Sequence, residues 1–145
     1  YVARVRWLIT NLGTALVAAT IISLFEETIS RLVVLAALMP IVAGVGGNAG
    51  TQTLAVTVRA LATNQLTSSN TLRTIRREIA VAVLNGLTVA AVIGVAVATF
   101  FANPMLGGVI AAAMLGNIII AGLAGVVVPV TLERLGADPA VASSI

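Results

Sequence analysis

The chain has 145 residues, of which 59% are hydrophobic and 9% charged, a formal net charge of +3 and a mean hydropathy of +1.12. Soluble domains carry roughly 25% charged residues, so this composition excludes an ordinary soluble domain and defines an integral membrane protein. Cysteine and histidine are both missing, which removes disulfides, thiolate metal sites and the usual transition-metal ligands.

A secretory signal would give one apolar block of about 7–15 residues near the start. Here several longer blocks follow one another, and each bilayer crossing needs about 20 helical residues. The first predicted crossing is Trp7 to Phe25, with Trp7 as an interfacial anchor and Glu26 and Glu27 at its outer end. Those carboxylates are either a solvated helix end neutralised by Arg31 or an outer-mouth pair that attracts cations.

The second predicted crossing, Leu32 to Val58, has 27 residues and would be about 40 Å long as a helix. That exceeds a hydrocarbon core of about 30 Å, so it must tilt, break or protrude. Its breakers are concentrated: Pro40 is followed by GVGGNAGTQ, which holds Gly44, Gly46, Gly47 and Gly50 and ends with Asn48, Thr51 and Gln52. Glycine and proline together predict a loosened helix, from mid-membrane to inner-leaflet depth. Unpaired backbone groups there cost several kcal/mol each in lipid, so the segment must be buried in protein or line a wet cavity. Asn48 and Gln52 stand four apart with Thr51 beside them, which puts uncharged oxygens on one helical stripe. The stripe either faces a pore or hydrogen-bonds across a close crossing made by Gly44, Gly47 and Gly50.

The segment from Arg59 to Glu78 is polar, contains NQLTSSN and reads as a flexible cytoplasmic connection, with Arg73, Arg76 and Arg77 facing lipid headgroups. The third and fourth crossings are Ile79 to Phe101 and Met105 to Leu132, the latter with Pro129 marking a kink or an end. Pairs four apart, Ala82 and Gly86, Ala90 and Gly94, Ala112 and Gly116, and Ala121 and Gly125, predict close helix packing. Asn11, Asn85 and Asn117 are read as interhelical hydrogen-bonding amides. A fifth segment opens at Asp138-Pro139, where the aspartate is a helix cap, a carboxylate at the inner pore mouth, or both.

Continuous apolar blocks rather than alternating ones predict an all-α polytopic membrane bundle of four complete crossings plus the start of a fifth. With the N-terminus cytoplasmic, Arg4, Arg6, Arg59, Arg73, Arg76, Arg77 and Arg134 lie inside and Arg31 alone outside, as the positive-inside rule requires. The arginines flank crossings without interleaved aromatics, which argues for lipid contact and against nucleic acid. No nucleophile with a histidine partner, phosphate loop or diphosphate-binding acidic cluster points to an enzyme. The chain begins at Tyr1 and stops soon after Asp138, so it reads as a piece of a larger polypeptide.

MPIVAGVGGNAGTQ, Met39 to Gln52, resembles the signature of the MgtE magnesium transporter family, which is related to the animal magnesium solute carriers. FEET, Phe25 to Thr28, resembles the end of that family's first membrane helix, and LGADPAVASS, Leu135 to Ser144, the start of its fifth. The resemblance implies a homodimeric channel or transporter in the plasma or inner membrane, with five helices per subunit and an ion path lined by the second and fifth. It carries over Pro40, Gly46, Gly47, Asn48, Gly50 and Gln52 as positions that line or shape the pore, and Asp138 and Pro139 at the start of the fifth helix. The family's central ion-binding aspartate falls beyond Ile145, and its cytoplasmic regulatory region precedes the membrane part. Mg²⁺ is then the transported ion, with other divalent cations as possible cargo and no organic cofactor. Carbonyl, amide and carboxylate oxygens, as at Asn48, Gln52 and Asp138, suit a hydrated Mg²⁺. A coupled secondary transporter, or a bundle that only anchors a partner, remains the alternative.

Overall fold

The computed structural model describes residues 2–66 and 70–142. Its elements are α1 (Val2–Ser23), α2 (Glu26–Arg31), α3 (Val33–Ala62), α4 (Thr71–Phe100), α5 (Pro104–Arg134) and a 3-10 turn, Pro139–Ala142. Among the described residues there is no strand, and α1, α3, α4 and α5 are long and apolar enough to cross a membrane. Thr67 to Ser69 of the predicted connection, and Ser143 and Ser144 of the last motif, lie outside the described residues.

The boundaries move in two places. The first crossing stops at Ser23, and Glu26 and Glu27 instead form the first turn of α2, where the helix dipole favours negative charge. Glu27 pairs with Arg31 one turn later, and both side chains are exposed. The predicted connection from Arg59 to Glu78 shortens as well, because α3 runs to Ala62 and α4 starts at Thr71. Each of these helices has 30 residues, about 45 Å, so their ends overhang a core of about 30 Å. Arg59, Arg73, Arg76 and Arg77 accordingly occupy helical positions near the ends of α3 and α4 and not a loop.

Three helices end in the same way. At the end of α5, Gly136 has φ +72°, its N–H donates to the Glu133 carbonyl, and the Ala137 N–H donates to Leu132. This paired arrangement satisfies carbonyls the helix leaves open, with the residue after the cap in the left-handed region that glycine adopts freely. Asn64 (φ 54°) closes α3 and Ala102 (φ 50°) closes α4 with the same pair of bonds. Asn103 then caps α5 by accepting from the Leu106 N–H at 3.1 Å, with Pro104 at the first helical position. Pro129 does not end α5, which continues to Arg134 with that proline buried.

Packing centres on α5. Both α3 and α4 lie against it, while they have little direct contact with each other. Its buried residues recur every four positions, Leu106, Ile110, Met114, Ile118, Gly122, Val126 and Val130, which makes one stripe down the helix. Leu38 and Val97 join the stripe near one end, Ala90 in the middle and Leu61 at the other. Lipid is as apolar as these side chains, so close backbone approach has to hold the helices together. The predicted small-residue pairs supply it: a Cβ added at Gly122 would come within 2.7 Å of Ala82, and one at Gly94 within 2.8 Å of Ala111. Ala112 and Gly116 are the exception, since Ala112 is exposed and Gly116 has nothing within 4 Å of an added Cβ.

Candidate ion-pathway residues

The loosened helix predicted for Gly44 to Gln52 is corrected by the structure, because α3 is continuous from Val33 to Ala62. The physical reason is a comparison of magnitudes. A glycine in a helix costs about 1 kcal/mol, whereas each unpaired backbone group in hydrocarbon costs several. Keeping the helix is the cheaper solution, so the backbone carbonyls here are helical and not free ligands. Thr51 adds its own bond, with Oγ1 donating to the Gly47 carbonyl at 2.8 Å.

The glycines divide between two faces. Gly46 and Gly50 are buried against α5: the Asn117 amide fills the space a Cβ would take at Gly46, and Gly50 meets Ala121. Gly44 and Gly47 have nothing within 4 Å of an added Cβ. The close crossing is therefore made by Gly46 and Gly50, with Gly125 opposite, rather than by Gly44 and Gly47. Asn117 behaves as predicted, its Nδ2 donating to the Val42 carbonyl at 2.6 Å across the α3–α5 interface. Asn117→Ala is expected to lower stability by about 0.6–1.7 kcal/mol, the range for an interhelical hydrogen bond in a membrane, read from thermal unfolding in detergent. An unchanged melting temperature would mean that this bond contributes nothing.

Pro40, Gly44, Gly47, Asn48, Thr51 and Gln52 are all exposed, Gly47 beside a small recess against α5 and Gln52 at the edge of a cleft towards α4. Asn48 lies at the centre of α3, and Thr51 and Gln52 sit about one turn towards the end that carries Arg59. A single chain thus presents a strip of uncharged oxygen donors at mid-helix depth with no protein of its own covering Asn48 and Thr51. The acidic candidates are elsewhere in the fold. Glu26 and Glu27 belong to α2, and Asp138 lies after α5, exposed. Asp138 Oδ1 accepts from the Ala140 N–H at 2.9 Å, which bears out the capping reading. Among the described residues no three acidic side chains gather into a metal cluster.

One polar feature escaped the sequence reading. Since α3 and α4 both rest on α5 without meeting closely, a cleft of about 180 Å³ opens between them, floored by Ile118 and Gly122. Gln52 and Thr53 of α3 face it, as do Glu78 and Asn85 of α4. Asn85 is exposed in this cleft rather than bonded across a packed interface. The available signal was helical spacing: Ala49, Gln52, Thr53 and Val56 share a face of one helix, and Glu78, Val81, Ala82 and Asn85 share a face of the other. Reading Glu78 as the end of a loop concealed it. A larger groove of about 650 Å³ beside α1, α3 and α5 is lined by apolar residues such as Ile22, Met39 and Val109, and offers an ion little.

Four long apolar helices, three of them joined through small residues, with amides exposed at mid-helix depth, define a polytopic α-helical membrane protein. The profile of the MgtE family, described as divalent cation transporter, matches residues 39–145, and the chain belongs to that family. It is 36% identical over 140 residues to the magnesium transporter MgtE of Bacillus subtilis, covering 97% of this chain and 31% of that protein. It is similar also to the proteins of the same name from Enterococcus faecalis, at 41% over 140 residues and 31% of that protein, and Thermus thermophilus, at 34% over 144 residues and 32%. The chain therefore spans about a third of the length of these curated relatives.

Proposed function

We propose that the chain forms the transmembrane ion-transport domain, residues 1–145, of a magnesium transporter that works as a homodimer in the plasma or inner membrane. Its N-terminus is cytoplasmic. Hydrated Mg²⁺ passes along the open face of α3, where Asn48, Thr51 and Gln52 contact its water shell and Gly44, Gly47 and Pro40 keep the wall narrow in side chains. The segment opening at Pro139 completes the wall, with Asp138 at the inner mouth and Glu26 and Glu27 concentrating cations at the outer one. The single observation that carries this reading is the polar strip on α3, exposed at mid-helix depth. Lipid is a poor neighbour for such a strip, while a wet path or a second subunit suits it. Amide and hydroxyl oxygens match a hard cation that gives up its waters reluctantly. Transport without covalent chemistry requires no catalytic residue.

The test is Mg²⁺ entry into liposomes holding the intact protein and a trapped indicator dye, with no other ion gradient imposed. Saturable entry is the expected result. Entry that appears only with a proton or sodium gradient would replace the channel with a coupled carrier, and no entry under either condition would leave a structural bundle.

A further inference from the structure

Glu78 is the eighth residue of α4, about 10 Å along a helix of about 45 Å, so it sits near the inner edge of the hydrocarbon core. Among the described residues its carboxylate accepts no hydrogen bond and makes no ion pair, although Arg59 lies two turns beyond Gln52 on the same side of α3. Ionisable side chains at such depth are costly and ordinarily have a partner, which makes an unpartnered one a marker of function. The cleft it faces adds the Gln52 and Asn85 side-chain amides and the Thr53 hydroxyl, all oxygen donors. At roughly 30 Å³ per water, about 180 Å³ accommodates an ion that keeps several of its waters.

We infer that the α3–α4 cleft is a second divalent-cation site, in which the Glu78 carboxylate holds a partly hydrated ion and the Gln52 and Asn85 amide oxygens take its waters. One carboxylate with waters and neutral oxygens is the ordinary donor set for Mg²⁺, which rarely uses an all-protein cage. The site shares Gln52 with the proposed pathway and is otherwise separate from Asn48 and Thr51 on α3 and from Asp138 beyond α5. The choice of Mg²⁺ as natural occupant rests on the proposed function, whereas the site rests on the cleft and its donors.

Mn²⁺ takes the same oxygen ligands and is visible by electron paramagnetic resonance, so it serves as the probe in a titration of the purified full-length protein. Glu78→Gln keeps the shape and removes the charge, and is expected to bind one Mn²⁺ fewer per chain than the wild type. Asn85→Asp adds a carboxylate and is expected to lower the Kd of that ion at least about tenfold, an outcome that misfolding does not produce. Equal Mn²⁺ stoichiometry in wild type and Glu78→Gln, or unchanged affinity in Asn85→Asp, overturns the site. Dye-loaded liposomes made from the same preparations separate the two readings. Mn²⁺ binding that depends on Glu78 without Mg²⁺ entry retains the site and rejects transport; Mg²⁺ entry with binding indifferent to Glu78 does the reverse.

Discussion

Gly125→Val is expected to abolish the folded, monodisperse protein, and Gly125→Ala to lower its stability by about 1–3 kcal/mol. A Cβ at Gly125 would lie 2.8 Å from the Gly50 carbonyl oxygen, 2.8 Å from Thr53 Cβ and 3.0 Å from the Leu54 nitrogen. Two of these are backbone atoms of a continuous helix, which cannot yield locally without breaking its own hydrogen bonds. The alternative is for α3 to back away from α5. That would also weaken the contact between Asn117 and Val42 and uncover Leu54, which is 2% exposed. Gly108→Ala is the control, because it lies on α5 with nothing within 4 Å of an added Cβ. It should be neutral or slightly stabilising, by up to about 1 kcal/mol from helix propensity. Size-exclusion profiles and thermal unfolding of the three variants check this, and identical behaviour of Gly125→Val and Gly108→Ala would disprove the close crossing.

Asn48→Ala should do the opposite, leaving the fold intact and cutting Mg²⁺ flux by roughly ten- to a hundredfold. The side chain is exposed at the centre of α3 and bonds to no described residue, so its removal breaks no contact in the chain. In the proposed pathway its oxygen faces a hydrated cation, and a hydrogen bond involving a charged group contributes about 1.5–3 kcal/mol. At about 1.4 kcal/mol per factor of ten, that range gives the expected drop in rate. Uptake per unit of folded protein in dye-loaded liposomes is the measurement. Parallel losses of flux and folded yield would make Asn48 a packing amide, at a dimer interface for example, and would remove it from the pathway.

The crossings were legible because hydrophobic length alone identifies them, and the strip of Asn48, Thr51 and Gln52 was legible from i, i+3 and i+4 spacing. Membership of the family was legible in GVGGNAGTQ and its neighbours, and the profile match over residues 39–145 bears that out. Two things were not. Clustered glycines were read as a loosened helix, whereas in lipid the backbone bonds outweigh glycine's poor propensity and α3 stays whole. Which glycine faces which neighbour was also hidden, since Gly44 and Gly46 are both consistent with a small-residue seam and only the position of Asn117 selects Gly46. The Glu78 cleft depends on how two helices splay over a third, and one-dimensional spacing carries no such information. The sequence pattern supports residues on a face; the partner of that face is a tertiary fact.

The central position of α5 bears on how the chain is made. Ribosomes deliver α3 and α4 to the membrane before α5, yet these two barely touch each other and their buried small residues are shaped to meet α5. Until α5 is in place, Gly50 and Gly94 lack the neighbours, Ala121 and Ala111, that lie against them in the finished bundle. Assembly of the bundle is thereby tied to a single late insertion event, and a pause in translation between Phe101 and Arg134 would leave the earlier helices without a partner.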